Sequence, residues 1–125
     1  MSRIKTFAIA LVAATFGNTA TAERDILWEF STCAGRLSAQ MEHEWLMGDP
    51  AAERTELQRE AMVTLIDAVM ANNQGSQVLA WRIDAKQAQA VLLTRATFND
   101  DDQDSAWASR RAETEITACR SLLLG

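Results

Sequence analysis

Leu46-Met47-Gly48-Asp49-Pro50-Ala51 reads as the end of one helix and the start of the next. Glycine suits the residue just past a helix, aspartate an N-cap, and proline the first helical position. Two further breaks follow. Asn72-Asn73-Gln74-Gly75-Ser76 offers Ser76 as an N-cap, and Asn99-Asp100-Asp101-Asp102-Gln103-Asp104 offers its last acids as caps. The segments between breaks run about 25–47, 50–72, 76–98 and 104–124, each roughly 32–35 Å long as helix. Apolar residues recur at steps of three and four in all of them: Ile26, Phe30, Cys33, Leu37, Met41 and Trp45; Leu57, Ala61, Leu65, Ala68 and Val69, widened by Met62 and Ile66; Leu79, Ile83, Ala90, Leu93 and Phe98; Ala108, Ala112, Ile116, Cys119 and Leu123. No window alternates with period two, so no strand is expected. The fold class predicted is all-α, an up-down-up-down four-helix bundle. Lys86 and Gln87 interrupt the third stripe, and a long three-helix arrangement follows if that segment breaks.

Ahead of these segments, Arg3 and Lys5 precede an apolar run from Phe7 to Phe16, and Ala20-Thr21-Ala22 fits the small-x-small cleavage rule. Residues 1–22 are predicted to be a cleaved export signal, leaving 23–125 as a single helical domain. The apolar run is about ten residues, against roughly 20 needed to span a bilayer, so no membrane span is expected after cleavage. Cleavage removes Arg3 and Lys5 but no acidic residue. Ten basic residues then face seventeen acidic ones, a net charge of −7. Nucleic acids and anionic membranes are poor partners for such a surface, because they demand clustered Lys and Arg.

Export gives the two cysteines a meaning. In an up-down-up-down bundle, the start of helix one and the end of helix four lie at the same end. Cys33 is about eight residues into its helix and Cys119 about five from the end of its own, so their heights differ by about 4–5 Å. Both lie on apolar stripes. A Cys33–Cys119 disulfide joining helices one and four is expected, stable in an oxidising compartment. Two buried free thiols are the alternative. A catalytic thiol has less behind it, since neither cysteine has a CxxC partner or a neighbouring histidine.

Candidate chemistry is sparse. The same geometry puts Trp28 and Trp81 at one end of the bundle and Trp45 and Trp107 at the other. These indoles read first as core and end-plug packing, and second as an open end that holds a ligand or partner. His43, the only histidine, is four residues before Met47, a spacing that soft copper ligands could share. No second cluster completes such a site, and position 47 excludes HExxH. Without Cys-x-x-Cys-His, covalent haem attachment is excluded, and no cofactor is expected. Asp100, Asp102 and Asp104 match the first, third and fifth positions of a calcium loop. Ser105 and Arg111 stand where that loop needs glycine and glutamate, so a solvated capping turn is the simpler reading. Glu42/Glu44 and Glu113/Glu115 are two apart and face different directions on a helix. No catalytic residue is named, and an enzyme is not expected.

The stretch Cys33-Ala34-Gly35-Arg36-Leu37-Ser38-Ala39-Gln40-Met41-Glu42-His43-Glu44-Trp45, with the late Cys119 and a Leu-rich C-terminus, resembles small exported two-cysteine helical proteins common in alpha-proteobacteria. That resemblance implies a periplasmic or secreted location and carries over no active-site residue. The expected function is a non-enzymatic module that binds a protein or envelope partner as inhibitor, chaperone or adaptor. The alternative is a small-ligand or metal carrier using the Trp45/Trp107/His43 end with Met47.

Overall fold

A computed structural model describes residues 19–124, with side chains described from Ile26 onward. Four helices account for almost all of it: α1 Thr19–Leu46, α2 Ala52–Val69, α3 Gly75–Thr97 and α4 Asp102–Leu123. There is no strand among the described residues, and no described helix is long and apolar enough to cross a membrane. The expected leader lies mostly outside the described residues. Its last four, 19–22, form the first turn of α1, so the expected cut after Ala22 falls within that helix.

The breaks act largely as their residues dictate. Gly48 takes φ +66°, with the Gly48 N–H donating to Trp45 O and the Asp49 N–H to Glu44 O. This is the paired closure of a helix end around a left-handed residue. Nothing lies within 4 Å of where a Gly48 Cβ would stand, so an alanine there meets only the backbone penalty. Gly48→Ala is expected to lower stability by about 1 kcal/mol, read as a lower urea midpoint at unchanged slope. Asp49 accepts from the Ala51 N–H at 2.9 Å, but α2 begins at Ala52 with Ala51 as its cap residue and no side-chain cap bond. Asp49 and Pro50 therefore occupy the turn ahead of the helix rather than its expected N-cap and first position. Helix α3 starts at Gly75, one residue ahead of the expected cap. Gln74 is the cap residue there, its side chain accepting from the Ala71 N–H, and Ser76 lies within the first turn. Helix α4 also starts early, because Asp101 is its cap, accepting from the Gln103 and Asp104 N–H groups. Helix α3 runs unbroken through Lys86 and Gln87, so four helices form rather than three.

Neighbour relations depart from chain order. Helix α1 is central: α3 packs on it most extensively and α2 nearly as much, while α4 rests chiefly on α3 with smaller contacts to α1 and α2. Helices α2 and α3, though consecutive, do not pack on each other. Contacts Gly35–Arg82, Gln40–Gln89 and His43–Thr97 run in the same sense along α1 and α3. Contacts Arg95–Asp104 and Gln89–Ala112 run in opposite senses along α3 and α4. The late α2 residues Met62 and Ile66 join Leu27, Cys33 and Leu37 of α1. These pairings fit the alternating helix directions expected from the short links.

Only part of each expected stripe is buried on α2 and α3: Met62 and Ile66 on the first and Leu93 on the second, the rest of the buried face lying one step round. On α2 the interior takes Ala52, Thr55, Met62 and Ile66, while Leu57 and Ala61 face solvent. On α3 it takes Val78, Ala85, Gln89 and Leu93, while Leu79, Ile83 and Phe98 are exposed. Both helices carry two adjacent apolar rows, and polar Thr55 and Gln89 occupy the row that is buried. The α1 and α4 stripes are as expected, apart from exposed Ile26 and Trp45.

Cys33 and Cys119 are bonded, with Cα atoms 5.3 Å apart, so the expected α1–α4 clamp is present. They sit inside the main apolar cluster with Leu37, Met62, Ile66, Val78 and Ile116, and Trp81 packs against its edge. Towards the other end of α1 the interior turns polar. Gln89, 1% exposed, donates to Ala112 O at 3.1 Å and Gln40 Oε1 at 3.4 Å, and Gln40 donates to buried Glu44 at 3.1 Å. The clamped half is thus the more apolar, while the other carries a buried polar network beside Met41 and Leu93.

Candidate functional site

The unclamped half ends in a cluster of exposed large side chains. The parallel course of α1 and α3 brings their C-terminal ends together, where His43 Nε2 and Thr97 Oγ1 lie 3.2 Å apart. Trp45, Leu46 and Met47 close α1, Phe98 follows α3, and Trp107 lies in the second turn of α4. These five are between 48% and 72% exposed. Burial of such a residue would be favourable by about 1.5–3 kcal/mol.

A polar brace holds the α3–α4 corner in shape. The Arg95 guanidinium forms an ion pair with Asp104, its Nε–H donating to Oδ2 at 3.2 Å, and lies 5.2 Å from the centre of the Trp107 ring. Asn99 Nδ2 donates to Asp104 Oδ2 at 2.5 Å, and Ser105 Oγ donates to Ala96 O at 2.6 Å. Trp107 is therefore oriented by a cation over its face. The Arg95 hydrogen bond, with its charge and the Asn99 bond, holds the Asp104 carboxyl below its ordinary value of 3.8 against an opposing desolvation effect. The same bond pushes the Arg95 guanidinium up. A carboxyl whose value is depressed on folding contributes stability above its unfolded value, lost as pH falls through the folded one. Urea midpoints of wild type and Asp104→Asn should therefore differ most at neutral pH and converge as pH falls below about 4. A gap that stays constant with pH removes this role for the pair.

The sequence-derived site residues share this end but not one cavity. His43 borders a cavity of about 340 Å³ with Gln40, Thr97, Glu113 and Arg120. Trp107 borders a separate one of about 600 Å³ with Arg36, Asp84, Gln89, Arg111 and Glu115. In the latter, Glu115 accepts from Arg36 at 3.1 Å and from Arg111 at 2.6 Å. Trp45 and Met47 line neither and stand free on the surface. Trp28, at the opposite end, is also half-exposed.

The acidic turn is built for capping. Asp101 caps α4, Asp104 is held by Arg95 and Asn99, and Asp100 and Asp102 point to water. Among the described residues no three His, Cys, Asp or Glu side chains converge as metal ligands would. Sequence reasoning missed Arg95, Leu46 and Phe98 as parts of this end. For Arg95 and Trp107, twelve positions apart across a predicted turn, an antiparallel α3–α4 pairing was the available signal.

Fold and site together define a disulfide-clamped helical bundle with an aromatic end. Compared with protein-family models, curated proteins and solved structures, the chain matches none.

Proposed function

We propose that the protein is a non-enzymatic interaction module that binds an apolar segment of another polypeptide at its aromatic end. The observation that carries this is the grouping of exposed Trp45, Leu46, Met47, Phe98 and Trp107, three of them aromatic, at one end of the bundle. Exposed aromatics and methionine are what binding surfaces use, because they contribute large apolar area with few torsions to fix. The Asp100–Asp102 turn beside Phe98 favours basic flanks on the bound segment. The protein works as an accessory, inhibitor or chaperone in an oxidising compartment, the periplasm being the reading the export signal supports. The buried disulfide is compatible with that location. A carrier role for this end lacks a cavity that Trp45 and Trp107 share.

Photo-crosslinking in cells tests the proposal. A benzophenone side chain at position 98 is expected to give a defined polypeptide adduct, and one at position 67, on exposed α2 surface in the other half, is expected to give none. Met47→Asp should reduce the adduct at 98 at least tenfold while leaving stability within about 0.5 kcal/mol. Equal labelling at 67 and 98, or no adduct at 98, overturns the proposal.

A further inference from the structure

Helices α2 and α3 both pack on α1 yet not on each other. The gap between them is a groove of about 410 Å³, floored by α1 at Gly35, Ser38 and Met41. Its walls carry Arg59 from α2 and Arg82 and Lys86 from α3. Three of the ten basic residues of 23–125 therefore converge on one groove of an acidic protein. Only one carboxylate answers them: Glu42, which lines the groove and pairs with Lys86 at 2.7 Å. Among the described residues neither Arg59 nor Arg82 has a carboxylate partner. The Arg59 Nε–H is also sealed from solvent with no acceptor. A buried donor without a partner is rare in folded proteins, and a shift of the Arg59 head toward an oxyanion in the groove would satisfy it.

The remaining wall is aliphatic. Leu79 and Ile83, one turn apart on α3, line the same groove and are about half-exposed. Its volume lies within the range of small-molecule sites, about 300–1,000 Å³. That is too small for a partner helix, about 10 Å across, to sink in. The geometry points to this groove as a binding site for a small aliphatic carboxylate, its head on Arg59 and Arg82 and its chain along Leu79 and Ile83. The inference is independent of the aromatic end, which lies at the far end of α3.

Octanoate is the probe, with full-length protein freed of its leader, at low salt. Titration followed by amide chemical shifts is expected to be saturable, with the largest shifts at Ser38, Arg59, Arg82 and Lys86. Added salt should weaken binding, since the attraction is between charges. Arg82→Gln and Arg59→Met should each weaken it about ten- to a hundredfold, the scale of a lost charge-assisted bond. Arg110→Gln, outside the groove, should leave it unchanged. Because the Arg59 Nε is buried, Arg82→Gln decides the matter if Arg59→Met melts early. Octanol or octylammonium binding as tightly as octanoate overturns the role of the arginines. Acetate binding as tightly overturns the role of Leu79 and Ile83. Shifts centred elsewhere, or no saturable binding, overturn the site itself.

Discussion

Reducing the Cys33–Cys119 bond is expected to lower the melting temperature by about 10–40 °C. The bond closes a loop with a sequence separation of 86. For a loop of that length the chain-entropy account gives roughly 4–5 kcal/mol, and removal of native disulfides typically costs about 2–5 kcal/mol. At about 4–8 °C per kcal/mol for a domain near 100 residues, the stated range follows. Packing makes the loss larger for one helix than for the others. Helix α4 has only modest contact with α1 outside the bond, leaning mainly on α3 and reaching α2 through Arg120, which donates to Gln58 at 2.9 Å. Without the bond, α4 retains its packing on α3, the Arg95–Asp104 and Arg36–Glu115 pairs, and the buried Ile116 and Ala112 as ties to the rest. Hydrogen exchange in reduced protein should therefore accelerate more in α4 than in α1 or α3. Thermal melts with and without reductant check the first effect. The Cys33→Ala/Cys119→Ala variant, low-melting from the start, should show no response to reductant. Wild type that melts at the same temperature in both conditions would show that the clamp contributes nothing.

The clamp was legible because it needed only two independent counts, helix length and residue position, both set by local signals. Gly48 ending α1 and acidic residues opening α4 are likewise local, and the helix boundaries follow within about three residues, except that α1 begins at Thr19, six residues before the expected start. What could not be read was which of two adjacent apolar rows faces inward. On α3, Val78 and Leu79 are neighbours, as are Leu92 and Leu93, so periodicity allows either face. The decision falls to contacts with α1, where buried Gln89 meets Gln40 across the interface. A glutamine with 1% exposure carries no hydropathic signal of its burial. The same ambiguity on α2 hid the outward row Leu57/Ala61, and with it the open seam between α2 and α3. For the candidate end, His43, Met47, Trp45 and Trp107 were placed together by counting turns. That His43 and Trp107 border different cavities while Trp45 and Met47 border neither depends on side-chain directions that no spacing rule supplies.

Gly35→Ala is the second large effect, and its sign opposes the intrinsic preference of the helix. Glycine inside a helix is less favourable than alanine by about 1 kcal/mol. A peptide of α1 alone should accordingly gain helicity with the substitution. In the folded protein, a Cβ on Gly35 would stand 2.2 Å from Arg82 O, 3.0 Å from Arg82 C and 3.0 Å from Lys86 N. All three are backbone atoms of α3, which cannot swing aside as a side chain would. Relief requires α1 and α3 to separate by about 1 Å at the most extensive helix contact in the molecule, loosening neighbours packed at near-crystalline density. Overpacking of this kind costs about 1–3 kcal/mol and more where nothing can yield, so a loss of about 3 kcal/mol is expected. That is a large part of the 5–15 kcal/mol that holds an ordinary domain folded. Small residues around Gly35 make the close approach possible: Ser31, Ala34 and Ala39 are also buried on α1. The effect should be specific to the α1–α3 face. Ala34→Gly, on the same helix and without a clash, should lose only about 1–2 kcal/mol, from helix propensity and one buried methyl. Urea unfolding of Gly35→Ala beside Ala34→Gly, with circular dichroism of the matching α1 peptides, reads both signs. A Gly35→Ala protein as stable as wild type would mean that α1 and α3 do not approach as closely as described.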